Sequence, residues 1–531
     1  MRDFEFPGRS TVHAAEGMAA TSHPISTQVA MQVLQSGGNA MDAAIAACAV
    51  QGIVEPGSTG IGGDCFALYA PGGADRIVAY NGSGRASAAA SADWYAERGI
   101  TSLEPHSPHA VTIPGAVEAW ARLAGDHGSR PLGELLQPAI HYARHGAPVA
   151  PRARLDWQHH VELLGRDPTA KRTFLVDDNA PPVGALHRQP LLADTLEAIA
   201  SQGASAFYSG AIAEDMVGHL NSLGGLHTLD DFADTRGEYV TPIRSGYRGY
   251  EVVQCPPNGQ GIIALLILNI LAGYRSADVG SLSVERLHRE IEAGRLAYSV
   301  RNALVADPAQ AHVPVDWLLS TDHADQLRAQ IDPDRRLDPL PAIHAPVNED
   351  TVYVSVVDRD RNAVSFINSI FSPFGSGIVS PRSGVLLHNR GRGFSLQPGH
   401  PNAIAPGKRP LNTIIPGMLV RGSRVVMPFG VMGGHYQASG HAWFLSNLLD
   451  YGMDLQEAMD LPRMFADPVS GAVQVEGTLP TSVCDGLQAL GHRLVRPPRP
   501  IGGSQAIWMD WDAGTLIGAS DHRKDGCALG D

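Results

Sequence analysis

The segment Asn348–Asp358, NEDTVYVSVVD, sets a threonine at the head of an alternating β pattern, directly after two acids. Two readings fit that placement. In one, Thr351 is turn punctuation before a strand. In the other, the chain is cut between Asp350 and Thr351, and the threonine becomes a new N-terminus that does chemistry. A threonine hydroxyl is a weak nucleophile near neutral pH and needs a base. A freed α-amino group titrates at about 7.7–8.0, so a sizeable fraction is neutral at pH 7–8. Cutting the chain there would supply nucleophile and base on one residue.

Other chemistry-bearing residues lead elsewhere. The glycine-rich runs EPGSTGIGGD, residues 55–64, and GVMGGH, residues 430–435, lack the Gly-Lys-Ser/Thr of a P-loop and the context of a dinucleotide fingerprint. Their glycines suit close approach of backbone amides to something else. His435 and His441 are six apart, which does not put both on one helical face, so no metal site is expected there. The adjacent His159 and His160 point apart and read as solvated. Five scattered cysteines without CxxC spacing argue against a disulfide framework or zinc site and read as reduced thiols of a cytoplasmic protein.

The elements that must position Thr351 follow from pattern. A chain of 531 residues buries a large core. Its formal net charge of −14 argues against nucleic acid as a partner. Charges at the N-terminus interrupt any signal-peptide run, and the apolar stretch Gly261 to Gly273 is too short to span a bilayer. No membrane association is expected, and the stretch reads as a buried helix. Residues 26–51 read as two helices split at Ser36-Gly37-Gly38-Asn39, with Asp42 opening the second. Cys65–Tyr69 and Arg76–Tyr80 read as a hairpin. Residues 112–330 read as mostly helical, with an amphipathic helix over 285–305, and 331–347 as an exposed linker. Beyond Thr351 the period changes to two. Val352, Val354 and Val356 share one face, a second strand spans Ala363–Ser369, and a helix runs from His441 to Met459.

Seven segments, in order along nearly the whole chain, carry a resemblance: SGGNAMDAAIA (36–46), TGIGGD (59–64), DTVYVSVVDRDRNAVS (350–365), FGSGIVSPRSGVLLHN (374–389), APGKRPLNTIIP (405–416), GVMGGH (430–435) and GGSQAI (502–507). Together they resemble the gamma-glutamyltransferase family of N-terminal-nucleophile hydrolases. The resemblance implies an α+β fold, a four-layer αββα sandwich. It implies self-cleavage into a large subunit, residues 1–350, and a small one, residues 351–531, that stay together as one compact unit. Thr351 would then attack an amide and carry an acyl-enzyme. Gly433 and Gly434 match the family's oxyanion-hole segment, Ser369 its second hydroxyl, and Asn412 with Thr413 its pair of site serines. No metal or organic cofactor is implied.

The sequence departs from the family where the glutamyl group is gripped. The family's arginine position falls at Ser83, with Arg85 two residues on; its asparagine falls at Phe371 and its aspartate near Gly393, beside Arg390 and Arg392. A buried ammonium without a carboxylate is costly, so this pocket favours an anionic acyl group, clamped by Arg85, Arg390 or Arg392. Two enzyme readings remain. One is a gamma-glutamyl hydrolase or transferase on glutathione-like amides. The other is an amidohydrolase or acylase on a dicarboxylic monoamide, oxamate-like or a cephalosporin side chain. A third reading is an uncleaved, inactive binding protein.

Overall fold

The computed structural model describes residues 8–275, 279–338, 340 and 351–531. Asp350, on the far side of the expected cut, lies outside the described residues. The alternation after Thr351 forms the strand Val352–Val357, paired antiparallel with Ala363–Ser369. Both strands are buried on both faces. Val354 and Val356 enter a layer shared with helices, while Tyr353 and Val357 enter a layer between two sheets.

That strand pair is the centre of a seven-stranded antiparallel sheet. Its order is Cys527–Gly530, Met18–Thr21, Val352–Val357, Ala363–Ser369, Asp64–Ala70, Val78–Gly82, Glu238–Val240. The second seven-stranded sheet runs Val12–Ala14, Thr515–Ser520, Gly503–Asp510, Arg424–Met432, Gly417–Arg421, Tyr250–Gln254, Ile243–Tyr247. Phe66, Tyr353 and Ile367 from one sheet meet Val253, Met418 and Ile507 from the other in an apolar layer. The sheets approach closely at Gly430, where a Cβ would lie 2.3 Å from the Tyr353 ring.

Helices close both outer faces. Pro24–Gln35 and Ala40–Val54 cover the first sheet; Gly261–Ala272, Val284–Leu304 and Tyr436–Leu449 cover the second. The result is the four-layer αββα sandwich. Ala40–Val54 starts with a capping box, Asn39 accepting the Asp42 amide and Asp42 accepting the Asn39 amide, which satisfies donors that a helix start leaves open. Among the described residues no helix is long and apolar enough to cross a membrane.

Four sequence expectations need correction. The stretch read as mostly helical contains three strands between Glu238 and Gln254, each short and separated by Pro242 or by the left-handed turn at Arg248-Gly249. The helix Val284–Leu304 is not amphipathic in burial, because Arg286, His288, Glu292, Arg295 and Arg301 are all buried. The helix expected from His441 begins at Tyr436 and breaks near Gly452, resuming at Leu455–Asp460. The described part of the expected linker is anchored rather than loose: the Leu337 amide donates to Glu292 Oε2 at 3.0 Å and the Arg336 amide to the Leu490 carbonyl at 2.7 Å.

Candidate active site

The strand register sets the site. Val352 pairs with Asn368, so Thr351 comes level with Ser369 at the end of the neighbouring strand. Thr351 Oγ1 donates to Ser369 Oγ at 3.3 Å and accepts from Gln437 Nε2 at 3.2 Å. Ser369 Oγ accepts the Phe371 amide at 2.9 Å, and Gln437 Oε1 accepts the Ile415 amide at 3.2 Å. The hydroxyl's orientation is therefore fixed from both sides by groups that are themselves held. Thr351 is fully buried.

Gly433 and Gly434 form the turn from the strand Arg424–Met432 into the helix Tyr436–Leu449. Their φ values of +116° and +56° lie where side-chain-bearing residues are strained, which accounts for the glycine pair. A helix start concentrates amide donors and a positive dipole end, the right environment for a developing oxyanion. Gln260 ties this turn to the opposite wall. Its Nε2 donates to the Gly434 carbonyl at 2.9 Å and the Thr413 carbonyl at 3.0 Å, while its Oε1 accepts from Arg301 Nη1 at 2.8 Å. Arg301 Nη1 also lies 2.9 Å from His435 Nδ1.

Arg390 is completely buried. Its Nη1 donates to Thr413 Oγ1 at 3.0 Å, its guanidinium sits 4.6 Å over the Phe371 ring, and its Nε is 3.6 Å from Asp64 Oδ2. Nε and Nη2 donate to no acceptor among the described residues. Burial pushes its pKa down to about 10, with the Asp64 charge opposing. Asp64 itself accepts the Gly84 amide at 2.9 Å and Asn412 Nδ2 at 3.3 Å. Phe371, Gly393, Thr413, Arg301 and His435 line one pocket beside this group.

The other expected residues part company. Asn412 turns its amide to Asp64 and to the Ile414 amide, so it braces the wall rather than facing the pocket. Arg392 is not beside Arg390. It donates to the Leu103 carbonyl and Ser372 Oγ and lines a separate cleft with His160 and Arg499. Arg85 is a third exposed and spends its guanidinium on the Gly407 carbonyl and Asp307. Ser83 Oγ donates to Asn81 Oδ1 at 2.7 Å. His160 is half-buried against the Phe374 ring, not solvated. His441 Nδ1 meets Gln254 Nε2, apart from His435. Among the described residues a His288–Glu292–His492 group has the ligand types of a metal site. It is knit internally by a 2.8 Å His288–His492 hydrogen bond, and Arg295 holds Glu292.

Sequence reasoning missed Gln437, Gln260 and Arg301. Gln437 carried no periodic signal, because it sits in the first turn of the helix Tyr436–Leu449 and the left-handed turn at Gly433–Gly434 sets which way it faces.

The sandwich, with a threonine heading a central strand, is the fold of the N-terminal-nucleophile hydrolases. A family model described as gamma-glutamyltranspeptidase matches residues 26–531, and the chain belongs to that family. It is 36% identical over 526 residues to the glutathione hydrolase-like YwrD proenzyme of Bacillus subtilis (strain 168), covering 98% of this chain and 99% of that one. It is 34% identical over 530 residues to the oxamate amidohydrolase proenzyme of Klebsiella pneumoniae, covering 97% and 99%. The crystal structure of cephalosporin acylase from Bacillus halodurans superposes with a TM-score of 0.93 at 38% identity, covering 100% and 99%.

Proposed function

We propose that the chain is a self-processing amide hydrolase that cuts itself between Asp350 and Thr351, leaving two fragments that stay associated. It then carries a small carboxylated acyl group on Thr351. The freed Thr351 amine takes the hydroxyl proton, and Oγ1 attacks the amide carbonyl. Backbone amides of the Gly433–Gly434 turn receive the oxyanion. The amine returns the proton to the leaving nitrogen, and water or an acceptor amine releases the acyl ester. Arg390 grips the acyl carboxylate through Nε and Nη2.

The observation that carries this reading is the Thr351 hydroxyl held between Ser369 and Gln437. The buried guanidinium, with two nitrogens that meet no hydrogen-bond acceptor among the described residues, supports an anionic acyl group. The oxamate amidohydrolase name of one relative agrees with a dicarboxylic monoamide. A gamma-glutamyl substrate is the second reading, favoured by the glutathione hydrolase-like relative.

The denatured mass spectrum of purified protein tests the core claim. Two species dividing at Asp350–Thr351 are expected, and Thr351→Ala should remain one chain without amidase activity. Cleavage and turnover persisting in that variant would remove the claim. Comparing succinamate, glutaramate and oxamate with glutathione then separates the two acyl readings.

A further inference from the structure

The turn at Gly433–Gly434 has two adjacent residues without a Cβ, so its peptide planes are free to swing unless something holds them. An oxyanion site needs the opposite, donors fixed before the charge develops. Three side chains from outside the turn hold it. Gln260, just ahead of the helix Gly261–Ala272, donates from Nε2 to the Gly434 carbonyl at 2.9 Å. Tyr298, on the helix Val284–Leu304, donates its hydroxyl to the His435 carbonyl. Arg301 stands three residues on, over the same helical face, with its guanidinium 4.6 Å from the Tyr298 ring. Its Nη1 donates both to Gln260 Oε1 at 2.8 Å and to His435 Nδ1 at 2.9 Å. We infer that Arg301 is a positioning residue for the reaction, acting through Gln260 and His435 to fix the turn that receives the oxyanion. The inference rests on the proposed function, because it needs that turn to meet the reacting carbonyl.

The direction of each donor follows from the planarity of the peptide, whose N–H points opposite to its C=O. The Gly433 carbonyl accepts the Tyr436 amide at 3.0 Å, and the Gly434 carbonyl accepts the Gln437 amide at 3.2 Å as well as Gln260 Nε2. With both carbonyls drawn toward the helix, the N–H groups of Gly434 and His435 face out of its N-terminal end. Gln260 can hold its share because it is itself held. Its amide donates to the Asn412 carbonyl at 2.9 Å, its Nε2 also to the Thr413 carbonyl at 3.0 Å, and Arg301 takes its Oε1. Arg301 thereby also decides which end of the Gln260 amide faces the turn: arginine only donates, so Oε1 turns to it and Nε2 is left for the Gly434 carbonyl.

Stability does not account for this guanidinium. Arg301 is fully buried, and among the described residues no carboxylate offsets its charge, so burial lowers its pKa to about 10 with only Tyr298 opposing. A buried cation without a carboxylate costs stability. What it gains in return are hydrogen bonds to neutral groups, and two of those groups belong to or hold the glycine turn.

Steady-state kinetics on the cleaved protein test this, with whichever of succinamate, glutaramate, oxamate and glutathione it turns over fastest. Arg301→Met should lower kcat about 30-fold and leave KM within about twofold. Arg301→Lys should return kcat to within about fivefold of wild type, because both acceptors are served by the single nitrogen Nη1. Gln260→Glu separates positioning from folding. It gives Arg301 an ion-pair partner, which keeps the new carboxylate ionised, and it removes the donor to the Gly434 carbonyl. Its melting temperature should hold or rise while kcat still falls about 30-fold. Arg301 also lines the pocket of Phe371 and Thr413, so KM rising with kcat intact would make it a contact of the acyl group. Activity falling only in step with melting temperature would make it structural. Either result, or unchanged kinetics in both Arg301→Met and Gln260→Glu, overturns the inference and leaves the functional reading standing. A wild type that neither cuts at Asp350–Thr351 nor acylates Thr351 removes both.

Discussion

At the residue scale, the Thr351 hydroxyl donates to Ser369 and accepts from Gln437, and these two partners aim its oxygen. Gln437 acts on the nucleophile and not on the acyl group, so Gln437→Leu should lower kcat by about 10²-fold with little change in KM. Gln437→Glu separates donation from shape. A carboxylate of the same size accepts where the amide donated, so activity relative to the wild type at the same pH should rise as pH falls and the new acid protonates, the amine's own titration cancelling in the ratio. A pH–rate profile reads this directly. Arg390 acts on the other half of the reaction. Arg390→Met should lower kcat/KM for a carboxylated amide by about 10²–10³-fold. Arg390→Lys should not restore it, since an ammonium cannot replace the planar fork that bridges Thr413, Phe371 and Asp64. Steady-state kinetics on one substrate, with melting curves to confirm folding, check both variants.

At the scale of elements, the site was legible where one local period dictates it and illegible where a turn redirects side chains. The strand pair after Thr351 and the helices before residue 54 announce themselves by valine alternation and by the Asn39–Asp42 cap. That cap predicts its own test: Asn39→Ala should cost about 1 kcal/mol in urea denaturation, because Asn39 Oδ1 accepts the Met41 and Asp42 amides at 3.0 and 3.0 Å. Arg390 and Arg392 looked alike in sequence, yet they lie on a 3₁₀ turn, Arg390–Gly393. With three residues per turn, positions two apart point some 120° from each other, so both could not enter one pocket. Arg85 was drawn toward the site by its spacing from Ser83, but the strand Val78–Gly82 ends before it and its side chain leaves for Asp307. The strands between Glu238 and Gln254 were hidden by length: each spans five residues or fewer and lies toward a sheet edge.

At the scale of the whole molecule, both sheets combine strands from before and after Thr351; in the first, Met18–Thr21 sits between Cys527–Gly530 and Val352–Val357, and in the second, strands from before Thr351 flank four from after it. Fragments made by a cut at Thr351 should therefore co-elute in size-exclusion chromatography and separate only in denaturant. The same interior makes stability depend on pH with a definite sign. His23, His187 and His227 are buried so that desolvation lowers their pKa values to about 4, and His441 to about 3. In the unfolded chain each titrates near about 6.5. Between those values the unfolded state binds protons that the folded state refuses, so stability is full above pH 6.5 and falls as pH drops toward 4. Each such group contributes roughly 2 kcal/mol of that loss by pH 5. His441 is the cleanest probe: it is fully buried, accepts at Nδ1 from Gln254 Nε2 at 3.1 Å, and rests 4.9 Å from the Phe429 ring. His441→Gln keeps a hydrogen-bonding end without a titrating ring. Urea unfolding free energies measured from pH 7.5 to 5 should fall for both proteins, with the variant's slope shallower by about one proton. Equal slopes would mean that His441 keeps its ordinary pKa in the folded chain.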